Sequence, residues 1–262
     1  MRWRIEHLPL AWPLARRDIA ARYRGSLVGV GWALLAPLAM VAVYALVFQG
    51  VFKARWAGSS EAAGGVDFAA RLFAGLIVFS AVAEVATRAT RLMQDNANLV
   101  KRVVFPLELL SVALVMQVAV HTALQMLVLA ALLIAIGVGP QWSWLWLPAA
   151  WAWSVALQLA LALGLAALGC YLRDLQQAVP LVMSGLLFLS PVFYPGAAAP
   201  QALQSLLQFN PLTAPIELSR AAWFGDPIAW SPMLLSLLGL LIALPLAHAL
   251  FQRLRPGFAD LV

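Results

Sequence analysis

The stretch from Arg16 to Pro37, RRDIAARYRGSLVGVGWALLAP, passes from a basic segment straight into a long apolar one. Cationic residues gather at the cytoplasmic face of a membrane, and apolar runs of about 20 residues cross its hydrocarbon core. This junction therefore constrains both where the chain resides and which way it faces. Further apolar runs follow, and we read spans at about 28–52, 68–86, 107–137, 145–169, 178–194 and 231–251. The third is longer than a perpendicular helix requires, so it is expected to tilt or to project beyond the bilayer.

Composition agrees. Hydrophobic residues make up 63% of the 262 positions and charged residues only 11%, against about 25% charged in soluble domains. Eleven Trp suit interfacial aromatic belts, and Trp142, Trp144 and Trp146 are read as the outer one. The net charge of +6 does not signal nucleic acid, because the basic residues sit at the ends of apolar runs rather than on a polar domain. The single cysteine, Cys170, excludes an internal disulfide and a Cys-rich metal site, and reads as a small packing residue. Arginines extend to Arg24 and the apolar run after them is too long for a signal h-region, so no cleaved leader is expected.

Charge sets the orientation. With both termini cytoplasmic, 13 of the 17 Lys and Arg fall inside, and only Lys53, Arg55, Arg71 and Arg220 fall outside. Before the first span, Leu8, Trp12, Ala15, Ile19 and Tyr23 recur at helical spacing, with Arg16, Arg17, Asp18, Arg22 and Arg24 off that stripe. Pro13 suits a first helical turn. This predicts an amphipathic helix over about 8–25, lying in the cytoplasmic interface with its arginines toward lipid phosphates.

The segment from Thr87 to Pro106 is the longest polar stretch on the inner side, and its core, Leu92 to Val100, is expected to form a short helix. Such a helix is either a solvated connector or a docking element. The outer segment from Pro195 to Pro232 is too long for a turn and too polar for two full spans. It holds two short helical patterns, about 201–209 and 215–224, separated by Asn210-Pro211. Two half-length helices there suggest a re-entrant pair over about 196–226 acting as a lid or gate, since irregular backbone at membrane depth must lie against protein or water. Glu217 and Arg220 are spaced to pair.

The chain carries no GxxxxGK[ST], HExxH or GxSxG motif and only three His and two Lys, so no nucleotide site, metal site or hydrolytic centre is expected. What remains are polar and aromatic residues inside the spans. Gln117, His121 and Gln125 share one face of the third span, and Ser154 and Gln158 one face of the fourth. Polar groups in hydrocarbon must be satisfied, so these faces point into the bundle, a subunit interface or an aqueous path. Glu84 and Glu108, near cytoplasmic span ends, are expected to anchor to nearby arginines. Trp32, Tyr44 and Phe48 lie along the first span, and Phe188, Phe193 and Tyr194 along the fifth. Such faces either pack against lipid and core or stack on sugar rings.

Four stretches, in order along nearly the whole chain, carry a family resemblance: RDIAARYRGSLVGVGWALLAPL with VYALVFQGVFK (17–53), NANLVKRVVFPLELL (96–110), YLRDLQQAVPLVMSGLLFLSPVFYP (171–195) and FNPLTAPIELSRAAWFG (209–225). In them the chain resembles the membrane permease subunit of bacterial ATP-binding-cassette exporters of cell-surface polysaccharides, of the O-antigen, teichoic-acid and capsular type. The loop over 54–67 and the fourth span match only in character. The resemblance implies an all-α integral membrane protein of the bacterial cytoplasmic membrane. It would have six transmembrane helices, an N-terminal interfacial amphipathic helix and a short re-entrant helix pair before the last span. It further implies a homodimer with two copies of a cassette ATPase, which would hold the ATP and Mg, leaving no cofactor on this chain. The ATPase would engage the N-terminal helix and the inner loop at Leu92, Asp95, Asn96, Asn98, Lys101 and Arg102. Arg16, Arg17, Arg22 and Arg24 would attract the pyrophosphate of a lipid-linked glycan. That glycan would pass a channel lined from Trp32, Tyr44, Phe48, Phe188, Phe193, Tyr194, Gln117, His121 and Gln125, and leave by a gate at Asn210, Pro211, Glu217 and Arg220. Rival readings are a permease for drugs or small molecules with the same plan, an autonomous channel or secondary transporter, and a glycosyl-carrier enzyme. The last two lack the mid-membrane acids or clustered acidic residues they would need.

Overall fold

The computed structural model describes residues 9–47, 64–101 and 105–262, and among these residues the chain is helical, without a strand. Its centre is α3 (Gly64–Ala89), whose face bearing Ala69, Leu72, Phe73, Ile77, Val82 and Val85 is buried along almost its full length. Around it pack α6 (Glu108–Ala135), α7 (Leu147–Tyr171) and α10 (Thr213–Phe224). α11 (Trp230–Leu254) lies outside this group and uses α7 as its main support. Its other side, including Leu234, Leu238, Leu241, Ile242 and Leu246, is exposed and wholly apolar, the surface a helix presents to lipid.

Four helical stretches are long and apolar enough to cross a bilayer unaided: Asp67–Ala89, Glu108–Ala135, Trp142–Tyr171 and Trp230–Leu261. They correspond to the second, third, fourth and sixth predicted spans. The first predicted span, about 28–52, begins as α2 (Trp32–Tyr44), within an apolar helical stretch that runs to Val47; residues 48–52 lie outside the described residues. The fifth, predicted over about 178–194, is α8 (Leu175–Leu189), only 15 residues long. It stops five residues early because Pro191 forces Ser190 into extended backbone, at φ −109° and ψ 153°. Pro180 lies inside α8, and the Ser184 hydroxyl donates back to the Pro180 carbonyl at 2.9 Å.

α1 (Ala11–Tyr23) runs parallel to the first half of α6. Ala11 and Ala15 bury themselves with Leu109 and Ala113, and a few turns on Tyr23 meets His121. The predicted apolar stripe holds at Ala15 and Tyr23 and is corrected toward its start. Trp12 is half exposed, Leu8 lies outside the described residues, and the packed face is Ala11, Leu14 and Ala15. Small residues win that face because they let two helix backbones approach closely.

The inner loop also differs from expectation. The helix predicted over 92–100 is two single turns, α4 (Leu92–Asp95) and α5 (Ala97–Val100). The break is Asn96, at φ −117° and ψ 31°, whose side-chain amide donates to the Leu92 carbonyl at 2.9 Å. An Asn side chain that bonds nearby backbone competes with helix continuation.

On the far side, α9 (Gln201–Phe209) and α10 occupy the two predicted short patterns. They differ in status. Nearly every residue of α10 is buried between α3 and α7, and Gly225 closes it in the left-handed conformation at φ 73°. α9 buries only Leu207 and leaves Leu206 and Phe209 largely exposed. After α11, the single turn α12 (Phe258–Leu261) folds back so that Phe258 packs edge-on against Phe251 and Tyr171.

The tightest helix contact is backbone on backbone. A β-carbon added to Gly169 of α7 would lie 2.2 Å from the Thr90 carbonyl oxygen just beyond α3. Gly169→Ala is expected to destabilise the protein by about 1–3 kcal/mol, as overpacking does, seen as a lowered thermal midpoint of the detergent-purified protein.

Candidate functional site

Two polar clusters lie at the two ends of the bundle, named inner and outer after the orientation that the charge distribution predicts. At the inner end, Glu84 of α3 accepts from Arg22 of α1 at 2.8 Å and from Arg88 one turn along at 3.1 Å. Arg88 also donates to Gln117 of α6 at 2.9 Å, and Tyr23 of α1 bonds His121 Nδ1 at 3.1 Å. Burial pushes the Tyr23 hydroxyl up from its ordinary pKa, so it stays protonated. One continuous network thus ties α1, α3 and α6 together. Glu108 is held by Gln252 and, at 3.2 Å, by Arg255 beyond the end of α11. Both predicted glutamate anchors are present.

The inner loop is clamped to α8. Gln176 Nε2 donates to Gln94 Oε1 at 2.7 Å, and its own Oε1 accepts from Arg91 at 3.0 Å. None of these three residues was singled out in the sequence, because a lone amide in a polar loop has no periodic or motif signal. Among the residues predicted to engage a partner there, Asp95, Asn98 and Lys101 are exposed at three-residue spacing, whereas Leu92 packs inward and Asn96 bonds its own turn. Arg102 lies outside the described residues. Arg16, Arg17 and Arg24 are exposed, with Arg17 paired to its neighbour Asp18 at 3.0 Å; Arg22 is the one drawn into the network.

At the outer end, Arg220 of α10 is 3% exposed. It donates to the backbone carbonyls of Arg71 at 3.2 Å, Tyr194 at 3.4 Å and Val192 at 2.6 Å. Gly75 of α3 makes room for it: a β-carbon there would meet Arg220 Nη2 at 2.7 Å. Glu217, predicted to pair with Arg220, accepts from the Gly196 N–H at 3.2 Å. Arg71 bonds Asp67 at 3.0 Å and Asp226 at 2.6 Å and stacks over Phe224, its guanidinium 4.4 Å from the ring centre. Asn210 donates to the Leu189 carbonyl at 3.1 Å and the Ser190 hydroxyl at 2.9 Å, while its Oδ1 accepts from Leu212 N–H at 2.9 Å. It therefore starts α10 and holds the end of α8 in one motion. Pro211 follows it and takes no part in that bonding.

The aromatic candidates separate into groups. Phe188 and Phe193 stack at 5.5 Å between ring centres, and Tyr194 donates to the Phe188 carbonyl at 3.0 Å. Phe193 and Tyr44 pack against the same pair, Phe68 and Leu72 of α3. The structure thus brings Tyr44, Phe193, Phe188 and Tyr194 to one outer region, with the Phe188 ring two-thirds exposed. Trp32 stands half exposed on α2, away from them, and Phe48 lies outside the described residues. Gln117 is fully buried in its bond to Arg88, and Gln125 is half-buried two turns above it. Of the three outer tryptophans, Trp142 is exposed, Trp146 meets Trp230 edge-on, and Trp144 packs on Trp223 and donates to its carbonyl at 3.1 Å.

A bundle of apolar helices, four of them long enough to cross a bilayer, with polar side chains spent on tying helix ends together, defines a multi-pass membrane protein. A family model described as ABC-2 type transporter matches residues 10–224, and the chain belongs to that family. It is 23% identical over 251 residues to the O-antigen export system permease protein RfbA of Klebsiella pneumoniae, covering 95% of this chain and 93% of that protein. It is 26% identical over 250 residues to the protein of the same name from Myxococcus xanthus, covering 94% and 93%. The polysialic acid transport protein KpsM of Escherichia coli matches over 207 residues at 23% identity, covering 79% and 78%.

The Arg220 clamp sets a double-mutant test. Gly75→Ala alone is expected to destabilise the protein, because the guanidinium is pinned and cannot step aside. In an Arg220→Met background the same change is expected to be nearly silent, a coupling of about 0.5–3 kcal/mol in thermal denaturation of the four proteins.

Proposed function

We propose that this chain is the membrane permease of an ATP-driven exporter that moves a lipid-linked cell-surface polysaccharide outward across the bacterial cytoplasmic membrane. Two copies of the chain form the conduit, and two copies of a separate cassette ATPase drive it. The observation that carries the reading is the end-to-end similarity to permeases named for O-antigen export. Two features of the chain support it: a basic inner face, and an inner loop with an exposed polar edge beside a half-buried clamp. In this reading both termini face the cytoplasm, six segments traverse the membrane, and α8 does so with the help of neighbouring protein, since it is short for the hydrocarbon. Arg16, Arg17 and Arg24 face the pyrophosphate of the lipid carrier, while Arg22 holds α1 to α3.

Coupling then follows the hydrogen bonds. Closure of the ATPases presses on Asp95, Asn98 and Lys101. Gln94 and Arg91 pass the displacement through Gln176 into the inner end of α8. The outer end of α8 is held by Asn210, the residue between α9 and α10. Because α10 is locked in the bundle, α9 is the part free to swing, and it acts as the lid. The aromatic group of Tyr44, Phe188, Phe193 and Tyr194 stands near that exit and offers ring faces to sugars.

Co-expression with the ATPase encoded beside it is expected to yield a stable co-purifying complex, and deletion of the permease gene to abolish surface glycan while the lipid-linked form accumulates inside. Failure of the pair to associate would exclude this reading. Gln176→Leu is expected to leave assembly and ATP hydrolysis intact while export falls at least tenfold, measured as surface glycan per ATP consumed. Triple reversal of Arg16, Arg17 and Arg24 to Glu is expected to reduce export without loss of the complex; unchanged export would remove those arginines from carrier binding.

A further inference from the structure

The turns that follow α11 reach back to the inner loop. Gln252 and Arg255 bond Glu108 at the start of α6, and Arg255 also donates to the Phe105 carbonyl at 3.4 Å. The chain then reverses through a tight turn at Arg255–Gly257, where the Tyr171 hydroxyl donates to the Leu254 carbonyl at 2.9 Å. Gly257 must be bare at this point, because a β-carbon there would collide with the Tyr171 hydroxyl. The reversal carries Phe258 inward, and its ring is fully buried in one apolar cluster with Met93, Val100, Cys170 and Phe251.

That cluster supports the loop. α4 rests mainly on α7, but α5 is one turn long, and a single turn does not hold itself in water. Among the described elements, the main neighbours of α5 are α4 and α12, and α12 packs in turn on α7. Val100 of α5 is buried in the cluster, while Asn98 of the same turn and Lys101 just after it are exposed. The turn is therefore pinned on its apolar side and open on its polar side. This matters for the path described above. Asn98 and Lys101 receive the displacement, whereas Gln94, which hands it to Gln176, sits one turn earlier on α4. A push on α5 reaches Gln94 only if α5 does not give way, and the burial around Phe258 is what stands behind it.

We infer that Phe258 is a positioning residue for coupling: the turn that bears it is a brace that holds α5 in place while the partner ATPase presses on Asn98 and Lys101. The inference rests on the export reading for the presence of that ATPase. Phe258 touches neither ATP nor cargo. It acts through Val100 and the turn that carries it, and Gly257 and Tyr171 act through Phe258 by fixing where the chain reverses.

The test pairs a local measurement with a functional one. Amide hydrogen exchange is followed on the full-length permease in nanodiscs, at Leu99, Val100 and Lys101, whose N–H groups bond the carbonyls of Asn96 and Ala97 in the wild type. Export per ATP consumed is measured with the ATPase present. Phe258→Ala is expected to speed exchange at those three amides at least tenfold while α3 keeps its wild-type protection. The ATPase is expected to stay bound and active, with export per ATP falling at least fivefold. Phe258→Leu, which refills the cluster, is expected to bring both readouts back to within about twofold of wild type. Should Phe258→Ala also loosen α3, Gly257→Ala, which dislodges the turn without emptying the cluster, takes its place under the same expectations. Unchanged exchange at the three amides would overturn the brace. Faster exchange with unchanged export per ATP would overturn its part in coupling. Both results leave the export reading standing, since the wild type keeps its ATPase; a wild type that binds none would remove that reading and the coupling role with it.

Discussion

A guanidinium buried among carbonyls governs the outer half of this protein. Backbone that leaves a helix at membrane depth exposes groups that hydrocarbon cannot satisfy. The segment after α8 leaves such groups where Pro191 ends that short apolar helix. Arg220 answers with a fixed fork of donors that takes up the carbonyls of Val192 and Tyr194 and, from the other side, that of Arg71. The short α8, the irregular chain behind it and the buried position of α10 are mutually dependent through this one side chain. Gly75 belongs to the same arrangement, because α3 must be bare where the guanidinium lies.

The inner half is organised differently. There the charged groups are paired mainly with other side chains, in the chain Arg22–Glu84–Arg88–Gln117 and in the Glu108–Arg255 contact, with Arg255 also reaching the Phe105 carbonyl. Partly solvated pairs such as Arg22–Glu84 add little stability each. What that chain fixes is register, holding α1 at one height along α6, while the Arg91–Gln176–Gln94 clamp holds the loop of α4 and α5 at one position against α8. One end of the bundle is therefore tied through backbone carbonyls and the other mainly through side-chain pairs.

The helical membrane class and the four long spanning helices were legible in the sequence, because apolar length alone decides them. The two glutamate anchors were legible from their proximity to arginines at span ends. The two short outer helices were legible from the Asn210-Pro211 break. Other features were not. The end of α8 was misplaced because hydropathy continues through Val192 and Phe193 while the Ser190-Pro191 dipeptide stops the helix. The packed stripe of α1 was placed correctly at Ala15 and Tyr23 but wrongly at Trp12, because Ala11 carries little hydrophobic signal, yet its small size decides which face meets a neighbouring helix. The Gln94–Gln176 clamp joins residues 82 positions apart with no motif to announce it. The matching strength of α9 and α10 as patterns also concealed that one is core and the other periphery, a distinction set by what surrounds them.

Pro180 gives α8 a further character. A proline inside a helix withholds the N–H that would bond the carbonyl four residues earlier, here that of Gln176. The turn that bears the glutamine is thus tied to the remainder by one fewer bond and flexes at little cost. In the coupling path proposed above, the inner end of α8 is therefore the step that yields most easily.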